Sequence, residues 1–287
     1  MFKTLYFYSL ALLLSISVQC QSTVDTPLQK INILSKLLKE ASGITYNPEA
    51  SALYVINDSG NDAEIFQLDL KGNIIQVIDL PSIENVDWED LTYDNNGNIY
   101  IGDFGNNDND RRDLAIYKIK LINTKAQILS KISFALEDQK AFPPKKKNRN
   151  FDIEAFVYHN HHFYLFSKNR SSNFNGTSKV YELRDDKPQQ KAKLIATLDI
   201  CKDEKDCFVT SAALNHKGNQ LVLLTYNKIF VADQFSADFS ALQLKKIKLE
   251  HYSQKEGICF INDSTLYIVA EGRGNSQASI YEFKLTD

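Results

Sequence analysis

Glu89, Glu154 and Glu256 each stand at the head of a short apolar run, in Glu89-Asp-Leu-Thr-Tyr93, Glu154-Ala-Phe-Val-Tyr158 and Glu256-Gly-Ile-Cys-Phe260. Ser42-Gly-Ile-Thr-Tyr46 and Ser211-Ala-Ala-Leu-Asn215 have the same form with serine in place of the acid. A solvated surface does not explain acids at the start of strands that are otherwise apolar. A second apolar run follows each of these, and at its end stand Asp58, Asp103, Lys168, Tyr226 and Glu271. Brought together, so many carboxylates repel one another unless something positive sits among them. Two arrangements supply it, and they are compatible. Calcium takes about six to eight oxygen ligands; Glu89, Glu154, Glu256, Asp58 and Asp103 are the candidate ligands, and the turns Asn57-Asp58-Ser59-Gly60-Asn61 and Asp103 to Asp108 are rich in further oxygens. Alternatively, Lys168, Arg170 and Arg273 neutralise the acids and complete a pocket for an anionic or polar ligand, with Ser42, Ser211, Tyr226 and Glu271 on its rim.

These residues converge only if the elements carrying them repeat. After each head segment comes a polar turn (NPEAS, DNNGN, HNHH, NHKGN, INDS), then a second strand, then a third that alternates apolar and polar: EIFQLDL, LAIYKIKL, KVYELRD, KIFVADQ, SIYEFKL. Alternation with a period of two marks half-buried strands. Fourth strands are visible in NIIQVIDL, QILSKISFAL, KLIATLDI and LQLKKIKLE, and only the last repeat lacks one. The stretch Lys30 to Leu38 has strand character and no partner of its own, so it is expected to close the ring. The repeat length, about 45–65 residues, is that of a propeller blade. The fold predicted is therefore all-β, a β-propeller of five four-stranded blades over residues 28–287; a sixth blade would require dividing the interval between Asn107 and Asp152. Antiparallel neighbours put the start of each first strand beside the end of the second. Both sets of side chains thus fall at one end of the central channel.

Other chemistries find little support. There is no nucleophile elbow, P-loop or H-E-x-x-H helix, and the histidines His159, His161, His162 and His216 lie in turns at the other end of the channel, with His251 apart from them. A net charge of −3 favours neither nucleic acid nor an anionic membrane. The basic loop Pro143 to Asn150 reads as a solvated surface, Trp88 as packing between blades, and the chain as a monomer. Cys259 sits within an apolar strand, while Cys201 and Cys207 flank a charged stretch and are expected to form a disulfide if the chain is exported. Export is what the N-terminus predicts. Lys3 precedes an apolar run from Leu5 to Val18 that is too short for a membrane span and reads as part of a signal peptide over residues 1–20. Cleavage after Cys20 gives a secreted or periplasmic protein; lipidation of Cys20 gives a membrane-anchored one, although Gln19 is a poor residue before a lipidated cysteine.

The segments EASGITYNPEASALYVINDSG, DWEDLTYDNNGNIYIGDFGNN and DIEAFVYHNHHFYLFSKNR resemble bacterial propellers of the SdiA-regulated, phytase-like group over most of the mature chain. The resemblance rests on S-G-[IL]-x-[YW], N-D-x-G and D-x-E-[AGD]-[LIF]. Related propellers with established chemistry, phytases and lactonase-type esterases, hold calcium at a channel mouth. That likeness implies a metal role for Glu89, Glu154, Glu256, Asp58 and Asp103; the fourth repeat departs from it, with Ser211 and Tyr226 where others carry acids. Two functions follow as expectations. One is a propeller that binds a small molecule, glycan or protein at an acidic, calcium-binding mouth. The other is a calcium-dependent hydrolase of an ester, lactone or phosphoester.

Overall fold

The computed structural model describes residues 28–122, 124–202, 206–274 and 276–285. The signal segment and Cys20 lie outside the described residues. β1 (Gln29–Ile33) is followed by β2 (Ala41–Asn47), β3 (Ala52–Asn57), β4 (Glu64–Leu68) and β5 (Ile74–Asp79), the last four forming one antiparallel sheet. A second set of four is β6 (Trp88–Tyr93), β7 (Asn98–Asp103), β8 (Ala115–Ile122) and β9 (Lys125–Leu136). The third is β10 (Asp152–His159), β11 (His162–Lys168), β12 (Thr177–Arg184) and β13 (Gln189–Asp199). The fourth is β14 (Ser211–Leu214), β15 (Leu221–Leu224), β16 (Lys228–Ala232) and β17 (Lys245–Lys248). The chain finishes with β18 (Lys255–Asn262), β19 (Thr265–Ala270) and β20 (Ser279–Lys284), and β1 pairs antiparallel with β20 to supply their fourth strand. The interval between Asn107 and Asp152 holds β8, β9 and a loop.

The innermost strands touch in a closed cycle: β2 packs on β6, β6 on β10, β10 on β14, β14 on β18, and β18 on β2. Apolar residues follow from this arrangement. The first strands are buried on both faces, so they read as continuous runs, and the core lies between neighbouring sheets rather than at the axis. Trp88, Ile101 and Tyr54 fill the space between the first and second sheets, and Phe104, Phe156 and Tyr181 that between the second and third. Full burial of one such side chain contributes about 1.5–3 kcal/mol. One connection is not of the repeating kind: β13 pairs parallel with β9 from Gln189↔Ser133 to Ala192↔Leu136, joining the outer edges of two sheets.

At the axis the strands come very close. A Cβ on Gly43 would lie 2.8 Å from the Asp90 Cα, so only glycine fits there. The Asp90 carboxylate, fully buried, fills the centre. Its Oδ1 accepts from Ser211 Oγ at 3.0 Å, and its Oδ2 from the Phe156 and Ala212 N–H groups at 3.3 Å each. It thereby ties β6 to β10 and β14, and the Gly43–Asp90 tier stands between a cavity at each end.

Candidate functional site

One end opens into a cavity of about 350 Å³ lined by polar side chains from the sheet starts, among them Glu89, Glu154, Glu256, Asp58, Lys168 and Arg170. Ser42, Tyr226, Glu271 and Arg273 line it too. The local cause is a register shift in the inner hairpins. Pairing skips Ser42, Glu89, Glu154 and Glu256 between Ala41/Gly43, Trp88/Asp90, Ile153/Ala155 and Lys255/Gly257 respectively. A bulge of this kind re-aims the unpaired residue's side chain.

Two residues expected at the mouth are elsewhere. In β14 the ladder runs without a shift, Ser211 pairing directly with Leu224. Its hydroxyl turns inward to Asp90 and accepts from Ile258 N–H at 3.1 Å. Asp103 pairs with Trp88, one position before the residue that matches Asp58 and Lys168. A one-residue offset in a strand reverses the face. Asp103 therefore lies beneath the mouth, where it accepts from Arg111 Nη2 at 3.0 Å and from Asp87 N–H at 3.1 Å. Ser42, though at the mouth, spends its hydroxyl on the Trp88 carbonyl at 2.9 Å.

Asp87 and Asp152 belong to the site and were not singled out from sequence. Each precedes a mouth glutamate by two positions, the D-x-E spacing already visible in Asp87-Trp-Glu89 and Asp152-Ile-Glu154. Glu40 and Gln254 hold the same position before Ser42 and Glu256, and both line the cavity.

The site divides into two electrostatic halves. On one side Glu154 Oε2 accepts from Lys168 Nζ at 2.9 Å and its Oε1 from Arg170 Nη2 at 3.0 Å, while Arg170 Nε donates to Asp152. Asp152 also accepts from Asn106 N–H at 2.6 Å. Burial alone would raise the Glu154 carboxyl, but Lys168 and Arg170 outweigh it and hold it below the ordinary range. Lys168, only 4% exposed, is held protonated by Glu154 and then Glu256 against its own burial.

On the other side Asp58, Asp87 and Glu89 bring one oxygen each to within 4.8 Å of one another. None of the three forms an ion pair among the described residues. Burial first, then the Asp58 charge, pushes Asp87 up to about 7. Burial, then Glu154, Asp58 and Asp87, raises Glu89 well above its usual value. Gly105 makes the trio fit: a Cβ there would strike Glu89 Oε1 at 2.1 Å and Asp87 Cγ at 2.5 Å. Its loop is fixed by Arg111 Nη1 on the Gly105 carbonyl at 2.8 Å and by Gly105 N–H on the Asp87 carbonyl at 3.1 Å. Asn85 Nδ2 clamps the opposite loop through the Asn57 and Asp58 carbonyls at 3.0 and 2.9 Å. These three side chains could hold a metal ion that prefers oxygen ligands.

Facing them, Glu256 is pushed up to about 7 by burial, with Lys168 opposing and Glu154 adding to the shift. Cys201 and Cys207 are joined as a disulfide, and Cys259 is buried and free. His159 and His216 line the smaller cavity, about 170 Å³, at the other end, together with Tyr46, Tyr93 and Tyr158.

The closed cycle of four-stranded sheets and the mouth built from their starts define a β-propeller. The chain belongs to the SdiA-regulated family, whose model matches residues 21–275. It is also similar in fold to the PQQ-bound form of an aldose sugar dehydrogenase from Streptomyces coelicolor, at 8% identity and a TM-score of 0.53, over 90% of this chain and 97% of that one. A luciferin-regenerating enzyme aligns over 90% of this chain and 94% of its own at 13% identity, with a TM-score of 0.49. No curated protein matches the sequence.

Proposed function

We propose that this chain is an exported propeller that binds a ligand at its mouth around a divalent cation, calcium by donor chemistry, held by Asp58, Asp87 and Glu89. The observation carrying this reading is the trio itself: three carboxylates in reach of one ion, partly or wholly buried, with no cationic side chain paired to them. A folded protein tolerates such a group only by protonating it or by binding a cation. The surrounding backbone carbonyls and asparagines suit a hard cation that takes many oxygens. Glu154 stays with its own cations, and Asp103 supports Asp87 from below. When bound, the ion supplies positive charge that attracts or polarises an oxygen of the ligand. Lys168, Arg170 and Arg273 face the same space and would orient that ligand.

The test is calorimetric titration of calcium into EDTA-treated protein, with Glu89→Gln and Asp87→Asn as controls. Saturable heat in the parent and its loss in both variants is the expected result. Identical heats in all three would overturn the reading. Export is tested separately by mass spectrometry of the mature N-terminus, which distinguishes cleavage after Cys20 from lipidation of it.

One observation favours a second reading, calcium-dependent hydrolysis of an ester, lactone or phosphoester. Glu256 lines the same cavity and is pushed up to about 7, which suits a general base near neutral pH. EDTA-sensitive turnover of an aryl ester, lactone or phosphoester, lost in Glu256→Gln, would establish it. Absence of turnover across all three classes leaves the binding reading.

A further inference from the structure

The side of the mouth built by the fourth and fifth sheets has a composition of its own. Tyr226 lines the cavity and packs edge-on against Tyr252 at 5.6 Å between ring centroids, and Phe208 packs against Tyr226 at 6.4 Å. Tyr252 is 54% exposed. Next to it runs a chain of planar polar groups. Arg273 Nη1 donates to Gln254 Oε1 at 2.7 Å, and Gln254 Nε2 donates to Glu271 Oε2 at 2.7 Å and to Glu256 Oε1 at 3.4 Å.

Three ligand classes can be weighed against these groups. An organic cation would seek the aromatic faces, but the Lys168 ammonium already sits 5.6 Å from the Tyr226 centroid and 6.0 Å from that of Phe208. A second cation there is repelled. An anion meets the carboxylates of Glu256 and Glu271. A neutral, hydroxyl-rich ring meets neither obstacle. Its hydroxyls can donate to the carboxylates and the Gln254 carbonyl oxygen and accept from the Arg273 N–H groups not bonded to Gln254, with the amide and guanidinium planes fixed by their mutual bonds. Its C–H face can lie on an exposed aromatic ring, burying apolar surface without desolvating a charge.

We infer that the Tyr226–Tyr252–Gln254 side of the mouth is a subsite for one ring of a neutral saccharide. This rests on reading the mouth as the ligand site, and it names the ligand class. Full-length mature protein in calcium is applied to an array of immobilised neutral oligosaccharides, and the best-retained one is titrated in soluble form by calorimetry. Tyr252→Ala should weaken binding about three- to tenfold, the scale of one aromatic contact. Tyr252→Trp should keep it, and Gln254→Ala should weaken it further, with melting temperature unmoved for the exposed Tyr252 variants. Retention of acidic glycans alone, no retention of any glycan, or equal binding by Tyr252→Ala and Gln254→Ala would overturn the inference. Calcium heat measured on the same preparation separates the two ideas: metal bound with no neutral glycan retained removes only the saccharide, whereas absent calcium heat removes the cation reading.

Discussion

The two halves of the mouth contain the same chemical group under opposite conditions. Glu154 and Asp152 are buried with Lys168 and Arg170 in hydrogen-bonding contact; the two cations hold Glu154 below its ordinary range, while burial and the Glu154 charge push Asp152 up to about 8. Asp58, Asp87 and Glu89 share a comparable setting with no ion pair among the described residues, and Asp87 and Glu89 are driven toward the neutral form although Arg111 lies near Asp87. Repeat units that are equivalent in the fold thus place equivalent acids, while the second-strand residue decides whether the mouth glutamate has a cation of its own. Lys168 occupies in the third sheet the position that Asp58 holds in the first. A single lysine in a repeated frame makes Glu154 half of an internal ion pair. The second half has no such pair, and its carboxyls answer burial and mutual repulsion by rising toward the neutral form.

The comparison breaks most sharply at Lys168. Lys168→Ala should cost about 3 kcal/mol in denaturant unfolding, the lower end for an orphaned buried carboxylate because Arg170 remains. A loss below about 1 kcal/mol, the range of an exposed pair, would mean that the pair is effectively solvated. Gly105→Ala should act on the other half. Its Cβ overlaps Glu89 and Asp87, so about 2 kcal/mol of strain is expected together with loss of calcium heat, while the Lys168 half keeps its ion pairs. Retained calcium binding in this variant would show that the ion does not sit in the trio.

Removing a charge from the trio should have the opposite sign to removing Lys168. Without calcium, Glu89→Gln or Asp87→Asn relieves buried repulsion and should raise stability by about 1 kcal/mol at pH 8, read from urea midpoints. The pH dependence follows the same logic. Asp87 and Glu256 are raised to about 7, Asp152 to about 8 and Glu89 well above its usual value in the folded state, so the native protein holds more protons than the unfolded chain from about pH 4 to beyond 7. Stability without calcium should be fullest below about pH 4 on this account and fall as pH rises through 7. Saturating calcium should flatten the Asp87 part of that fall, because the ion takes the place of the proton. A slope unchanged by calcium would separate the trio from metal binding.

How much of this could be read from residues depends on what repeats. The glutamates heading β6, β10 and β18 were legible because apolar strands make an acid conspicuous, and the recurring hairpin put them in one place. Asp103 was not, because its displacement is a single residue, and apolar runs buried on both faces carry no alternation to fix the phase. Ser211 failed for a related reason: the absence of a bulge in β14 leaves no mark in Ser211-Ala-Ala-Leu214. Asp90 is inconspicuous within Glu89-Asp-Leu-Thr-Tyr93, although the matching positions Gly43, Ala155, Ala212 and Gly257 are all small, a contrast that marks it as the residue filling the axis. The parallel join between β9 and β13 had no local signal. It depends on where two outer edges meet, which is set by the whole ring.

The remaining expected effect lies at Lys255, which reverses the trio's situation. Its ammonium is buried between the fourth and fifth sheets and donates to the Tyr226 carbonyl at 3.0 Å, the His251 carbonyl at 2.9 Å and Ser253 Oγ at 2.9 Å. Those three acceptors satisfy its protons but supply no full negative charge, and burial lowers it to about 8. A lysine lowered in the folded state means that the unfolded chain binds more protons between about pH 8 and 10.4, so stability should rise with pH across that window. One proton sets the ceiling, about 1.4 kcal/mol per pH unit. Together with the acids, this sets a rising alkaline limb against a falling acid one in calcium-free protein, with buried groups of both signs charged where the two meet. Lys255→Met keeps the aliphatic bulk, should erase only the rising alkaline limb and should leave the acid limb and the calcium heat untouched. If the alkaline limb survives Lys255→Met, the carbonyls around Nζ hold the charge better than burial opposes it, and the rule that separates the two halves of the mouth would not extend to cations.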